Sequence, residues 1–310
     1  MWRPVRDLLL RATYGTAFKV PSLYQRFSPR NQFSNFSPDP RRNNENATFL
    51  QYSGGNPDLK PELARSRTIG FILEPAALKG FSIGVNAFHI RQRNFIAVIG
   101  SAQTILANES LFGDRVVRAA PSADDTARGL PGRLVSVDIS TLNFGEVKLS
   151  GADIQTSYAL RTAGAGNFKW TLAGTYMDKY DVVLAPGAAP QSGLNRANFN
   201  GYPLRVQGNS QLAWDGFGGW FGSLTARYTG SYLDYFGDRK ISAATFWDGQ
   251  FGYRFGAEAA WGFDRTKAAL GIINIANKQG PFSNYLLQGY DPNHGDLRGR
   301  FVYITFEKSF

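Results

Sequence analysis

The chain has 310 residues, 43% of them apolar and 14% aromatic, with 34 Gly, 15 Pro, two His and no Cys. The lack of Cys excludes disulfide scaffolds, Cys-ligated zinc, iron–sulfur centres and thiol nucleophiles, and 24 Phe, 14 Tyr and 6 Trp carry too much buryable area for a disordered chain. A formal charge of +10 suits an anionic partner, yet the basic residues are scattered, with no run longer than the pairs Arg41-Arg42 and Arg239-Lys240, which argues against a nucleic-acid reader with its charge on one element.

At the N-terminus Leu8, Leu9 and Leu10 lie between Asp7 and Arg11. A secretory signal needs about 7–15 uninterrupted apolar residues, so no signal peptide is expected here. No window reaches the roughly 18 consecutive apolar residues of a spanning helix. A membrane location would have to be built from strands.

Period-2 alternation marks such strands along the chain. Noisy examples come first, at Asp7–Ala17, Arg65–Glu74, Phe81–Ile96 and Val147–Arg161. Clean ones follow. Phe168, Trp170, Leu172, Gly174 and Tyr176 oppose Lys169, Thr171, Ala173 and Thr175; Leu204, Val206, Gly208, Leu212 and Trp214 oppose Arg205, Gln207, Asn209 and Gln211. In Trp220–Tyr232 the apolar set is Trp220, Leu224, Ala226, Tyr228 and Tyr232, and in Thr245–Phe255 it is Trp247, Phe251, Tyr253 and Phe255. Lys267–Asn277 and Gly299–Phe310 complete a set of about ten strands, several longer than the usual five or six residues.

The connections alternate in length. Short ones fall near Pro75–Gly80, Thr162–Asn167, Asp215–Gly219 and Ala257–Thr266, and long ones at Val20–Lys60, Gly100–Leu142, Val183–Gly201, Gly237–Ala243 and Lys278–Arg298. An outer-membrane barrel has this asymmetry, with tight periplasmic turns, large extracellular loops and aromatic girdles at both headgroup levels. Phe168, Trp170, Trp214, Trp220, Tyr228, Tyr232, Trp247, Trp261 and Phe263 sit near strand ends as girdles require. The fold class expected is all-β: an antiparallel transmembrane β-barrel. A soluble β-sandwich shares the alternation.

Five motifs in order carry a resemblance. They are Arg11–Leu23 with its Pro21-Ser22-Leu23 turn; Asn56-Pro57-Asp58-Leu59-Lys60-Pro61-Glu62; Asn143-Phe144-Gly145 followed by Gly151-Ala152-Asp153; Gly271-Ile-Ile-Asn274-Ile-Ala-Asn277-Lys278; and Gly299-Arg300 leading into the closing strand. Together they resemble the barrel of TonB-dependent outer-membrane receptors, with Asp153 where the family has Glu. Pro57 and Pro61 cannot donate ladder hydrogen bonds and stiffen the approach to a strand, Asp58 can accept from nearby amides, and Gly151 permits a bulge. These motifs are expected to build the wall rather than touch cargo. Phe310 resembles the C-terminal aromatic signal read by the barrel-assembly machinery.

The resemblance implies a barrel of about 22 strands with a plugged lumen, so residues 1–310 are expected to be the C-terminal part, an incomplete arc without the plug or the N-terminal strands. It implies energised uptake across the bacterial outer membrane, with a small-molecule cargo, coupling to the TonB complex through the plug, and contact with lipid and lipopolysaccharide. Ferric siderophores, cobalamin, haem and oligosaccharides all fit such barrels. Siderophore is favoured because aromatic residues with Arg suit anionic chelates; the candidate contacts are Tyr24, Arg26, Tyr52, Tyr235, Arg239, Tyr285 and Tyr290. No catalytic residue, metal ligand, cofactor or nucleic-acid partner is expected. A passive pore and a soluble carbohydrate-binding sandwich are the rival readings.

Overall fold

A computed structural model describes every residue of the chain except 98–100, 144, 184–187, 198–200, 202, 238, 260–261, 286–287 and 310, and of Ala97 only the backbone. Phe144, Phe199, Trp261 and Phe310 therefore lie outside the described residues. The wall strands are β1 (Trp2–Val5), β2 (Leu8–Lys19), β3 (Glu62–Leu73), β4 (Phe81–Arg93), β5 (Glu146–Thr162) and β6 (Gly166–Val183). They continue as β7 (Val206–Asp215), β8 (Trp220–Thr229), β9 (Ala244–Arg254), β10 (Thr266–Ile273) and β11 (Phe301–Lys308). Each is hydrogen-bonded to the next in sequence, and the short strand Gln191–Ser192 joins β6 to make a 12-stranded sheet.

Among the described residues β1 and β11 do not pair, so the sheet is an open arc with two free edges. Its accessible surface is 18606 Å², against about 13,000 Å² for a globular monomer of this mass. Both faces of one sheet lie largely open.

The two faces differ as the alternation predicts. On one, Leu212, Leu224, Trp247, Phe251, Leu270 and Ile304 are all exposed, Phe251 by 52%. Trp214 and Trp220 stack on Phe251 with centroids 6.3 and 5.1 Å away, and Trp220–Tyr253, Tyr253–Phe255 and Phe255–Phe263 continue the chain of rings beside the short turns. The opposite face carries polar ladders. Arg11 Nε donates to Asn86 at 2.7 Å, Thr175 to Asp153 at 2.7 Å, Gln211 to Thr225 at 3.1 Å and Arg227 Nε to Asp248 at 2.6 Å. No second sheet covers the apolar face among the described residues, which sets aside the sandwich.

Two residues depart from the expectation. Leu204 lies before β7 and is 1% exposed, and Tyr232 lies beyond β8 and is 3% exposed. Neither faces outward with the girdle or the apolar band. The pairing of β7 with β8 ends at Gln207↔Thr229, and both chains then bend into a buried loop cluster with Ala197, Ile241 and Tyr285.

At Gly151 the β5–β6 register shifts between Ser150 and Gly151. A Cβ there would collide with the Tyr176 carbonyl oxygen, so the bulge needs glycine.

Candidate functional site

The long connections fold into two modules. In the first, Asn31–Asp39, Glu45–Ser53, Leu134–Asp138 and Val116–Arg118 form a four-stranded sheet, with Leu50–Tyr52 parallel to Ser136–Asp138. Phe49, Ile105, Leu106, Phe112, Leu134 and Val137 make its core, which is continuous with Val147 of β5 and Val182 of β6. The module is thus seated on the wall, on the side opposite Lys148 and Asp181.

Ion pairs lock it. Arg118 donates to both oxygens of the fully buried Asp39 at 2.7 and 2.9 Å, and to both oxygens of Glu109 at 2.9 and 2.6 Å. Arg42, also buried, binds Asp125 at 2.7 Å and Glu45 at 3.1 Å. Burial opposes ionisation of Asp39, but the hydrogen bonds and charge of Arg118 outweigh it and hold the carboxyl below its usual range. The Arg42 bond, helped by Ser122, holds Asp125 down at about 2.

A clamp at the rim joins this module to the wall. Asn143 Oδ1 accepts from the Lys60 amide at 2.8 Å, and its Nδ2 donates to the carbonyls of Lys60 and Asn94 at 2.9 and 2.8 Å. Glu62, 3% exposed, accepts from the Ile96 amide at 2.8 Å and Gln92 at 2.9 Å, with Lys19 Nζ 3.6 Å away. Asn56 accepts from the Asp58 amide at 2.9 Å, while Arg26 donates to the Pro57 carbonyl at 2.7 and 3.1 Å and Asn94 to that of Pro61 at 3.3 Å. Asp58 is exposed, and its backbone amide rather than its carboxylate closes this turn. Replacing Asn143 by Ala removes three bonds that join segments 83 and 49 residues apart. The expected loss is about 1–3 kcal/mol of local stability, read as faster hydrogen exchange at the Lys60 amide with no change at Leu224.

In the second module, formed by the last three loops, Asp234 is fully buried. It accepts from Ser283 Oγ at 2.6 Å, the Tyr235 amide at 2.8 Å, the Asn284 amide at 3.1 Å and Arg239 Nε at 2.9 Å. Beside it, His294 Nδ1 lies 2.8 Å from Asp291, and the His294 ring is 5.5 Å from Tyr232. Burial, with the charge of Asp291, pushes the Tyr232 hydroxyl well above its ordinary value. Asn274 and Asn277, both in the left-handed region, tie the start of this module down. Asn274 accepts from the Lys278 amide at 2.9 Å, and Asn277 Oδ1 accepts from the Arg300 amide at 2.9 Å beside Gly299, itself at φ 67°.

The candidate ligand residues divide between the modules. Tyr24 is exposed and Arg26 lies 5.0 Å from the Phe27 ring, while Tyr52 is covered by Arg30 at 4.1 Å. In the second module Tyr235 packs edge-on against Tyr285, centroids 5.0 Å apart, and Tyr285 is 4% exposed. Arg239 is committed to Asp234 and also lies 4.8 Å from the Phe282 ring; Tyr290 is half-buried. The structure does not bring the seven residues into one pocket. Phe282 and Phe236, exposed on the same rim, are nearest in kind to Tyr24 and Phe27.

Compared with known proteins, residues 1–275 match the family model described as "TonB dependent receptor-like, beta-barrel". The chain belongs to the TonB-dependent receptors. It resembles the crystal structure of the siderophore receptor PirA of Acinetobacter baumannii at TM-score 0.62 and 15% identity, over 99% of this chain and 40% of that one. It also resembles the ferric enterobactin receptor PfeA of Pseudomonas aeruginosa, in its complex with BCV-L6, at TM-score 0.59 and 18% identity, over 98% and 38%. A structure titled "Copper transporter OprC" gives TM-score 0.56 and 13% identity, over 98% and 37%. The chain therefore spans about two fifths of the solved structures it matches, and at these identities the likeness shows the fold alone. No curated protein matches it.

TonB-dependent receptors are outer-membrane proteins, transporters rather than enzymes. An outer-membrane barrel turns its apolar face to the acyl chains and its long loops to the medium. Acid should loosen the first module before the wall. A carboxyl whose folded pKa lies below its unfolded value stabilises fully above the unfolded value and loses that contribution as pH falls through the folded one. For Asp125 the window runs from 3.8 down to about 2, with Asp39 and Glu109 lowered in the same sense. Exchange protection at Phe49 and Val137, corrected for intrinsic rates, is expected to fall across that window while amides of β7 and β8 stay protected.

Proposed function

We propose that this chain is the C-terminal wall and loop crown of a receptor that imports a small anionic chelate, a ferric siderophore by preference. On this reading the plug, the coupling segment that meets the TonB complex, and the strands that close the barrel belong to the rest of the receptor. The barrel-assembly machinery inserts the wall. Cargo first meets the exposed aromatics of the crown, Tyr24 and Phe27 beside Arg26 in the first module and Phe236 and Phe282 beside Arg239 in the second.

One observation carries the preference: guanidinium groups and exposed rings lie together on both modules, Arg26 at 5.0 Å from Phe27 and Arg239 at 4.8 Å from Phe282. Such pairs attract a flat, negatively charged ligand by stacking and charge together. Soft-metal capture finds little support here, because the chain has two Met, two His and no Cys and copper favours thiolate, thioether and imidazole ligands.

Tryptophan-fluorescence titration of the chain in detergent separates the cargo classes. A ferric catecholate or hydroxamate is expected to saturate the signal at lower concentration than cobalamin, haem, a linear oligosaccharide or cupric ion, and Arg26→Gln to weaken it. Saturation by an oligosaccharide alone contradicts the siderophore reading. Conductance through the complete receptor in a planar bilayer without TonB would instead favour the passive pore.

A further inference from the structure

We infer that the outer face of the first module's sheet is a floor for an apolar tail of the cargo, so that the receptor takes an acylated anionic chelate in preference to a bare one. The inference rests on the chelate reading above and narrows its substrate class.

Strand register places the residues. Phe49 and Val137 point into the core that the module shares with Val147 and Val182 of the wall. Leu50 and Ser136, their neighbours along each strand, point the other way, away from the wall. Ser34, Leu50, Ser136 and Val117 form one row across the four strands, and Phe36 is the diagonal neighbour of Leu50. Between Val117 and Arg118 the register shifts, Arg118 pairing with Leu134, so Val135 is the extra residue of a bulge. A bulge re-aims a side chain, and Val135 is exposed as Val117 is.

The patch is apolar and too small for a protein. Phe36, Leu50, Val117 and Val135 are all exposed, Phe36 by 64%, and exposed apolar residues that cluster, unlike single ones, mark a binding surface. Four strands span about 14 Å and two residues along a strand about 7 Å, an area of about 100 Å². A stable protein interface needs about 800 Å² on each side. An extended hydrocarbon chain laid across the row covers it.

Charge at one end sets the anchor. Tyr52 lies on the same face, two residues from Leu50 along the strand, with the Arg30 guanidinium over its ring at 4.1 Å. The acid beside it, Asp138, lies 3.2 Å from Arg30 and 3.9 Å from Arg115, so two cations share one carboxylate. Gly54 and Gly55 run so close to this segment that a Cβ on Gly54 would strike the Pro29 carbonyl oxygen and one on Gly55 that of Arg26. Arg26 and Phe27, the chelate contacts proposed above, therefore stand at the same end. Beyond Tyr52 the row from Ser34 to Val117, with Phe36 and Val135, carries no charged side chain. An occupant that matches this floor is anionic at one end and hydrocarbon along the rest.

The test titrates the whole chain, held in amphipol, by calorimetry with ferric trihydroxamates that carry no tail or saturated tails of increasing length, each corrected with empty amphipol. Affinity is expected to rise about two-fold per methylene, the square root of the roughly four-fold that full burial gives, and to level off once the tail exceeds about 14 Å, the width of the face. The double variant Leu50→Gln/Val135→Gln is expected to bind the tailless chelate within about two-fold of the parent and to lose the dependence on tail length, with exchange protection at Phe49 and Val137 unchanged. Should the variant not fold, the parent decides: a diazirine at the tail's end should label peptides that contain Leu50 or Val117. Affinity indifferent to tail length, affinity that rises without levelling and equally in the variant, label confined to the wall strands, or equal binding of a fatty acid without the chelate overturns the inference. Failure of the chelate reading would show separately, as a tailless chelate that gives no binding heat, and would take this inference with it.

Discussion

Replacing Arg118 by Ala is expected to unfold the first loop module locally, with a loss of about 3–5 kcal/mol in its stability. The side chain makes four charge-assisted bonds to Asp39 and Glu109 and a fifth to the Gly132 carbonyl at 3.1 Å. Without it a carboxylate with no solvent exposure loses its counter-charge. The cost is that of a stranded buried charge, which exceeds what the pair contributes over an apolar replacement. Hydrogen exchange at Val137 and Phe49 should accelerate by about two to four decades, while β7–β8 amides are unchanged. The double variant Arg118→Met/Asp39→Leu should recover much of the loss. Unchanged protection at Val137 in the single variant would mean that the ion pairs do not hold the module.

The second large effect is expected in the wall. Leu224 and Thr225 are adjacent on β8, Leu224 facing Leu212 across the strand pair and Thr225 accepting from Gln211 on the other face. Leu224→Arg places a guanidinium among acyl chains, which costs about 2–4 kcal/mol near the bilayer midplane. Thr225→Arg places it in a hydrated polar ladder and should be close to neutral. Folding yields and denaturant midpoints in phospholipid vesicles measure both, and equal penalties for the two variants would contradict the face assignment.

The ten long strands were legible because eight to eighteen residues of alternation mark each one more strongly than any turn. The noise in β3, β4 and β5 has a physical source now visible in register. Alternation inverts within these strands: near the short turns the outward residues are apolar, Ile69 and Val85 among them, and near the loops they are Arg67, Arg91 and Lys148. On the opposite face Val147 and Leu149 turn apolar where the loop module packs. A strand that passes from an apolar to a cationic stretch on one side, and from a polar face to a protein core on the other, has no single hydrophobic period.

The modules were not legible. Their contacts join residues far apart in sequence, as Arg118 and Asp39 are by 79 positions, and no local pattern encodes such pairing. Apolar clusters inside the loops, Ile105-Leu106 and Leu134-Val135-Ser136-Val137, were the available sign that these loops carry their own core. Of the candidate contacts, Tyr285 and Arg239 looked like free loop residues because buried acids such as Asp234 cannot be told from exposed ones by spelling. The hydrogen bonds of the motif residues Glu62, Asn143, Asn274 and Asn277 are to backbone and wall.

Collisional accessibility of spin labels along β7, β8 and β9 in lipid vesicles tests the central claim most directly. Labels at Leu212, Leu224 and Phe251 are expected to meet lipid-soluble oxygen far more often than a water-soluble nickel chelate, and labels at Gln211, Thr225 and Gln250 the reverse. Accessibility that fails to alternate between adjacent residues, or alternates in the opposite phase, would contradict a wall with its apolar face in the membrane.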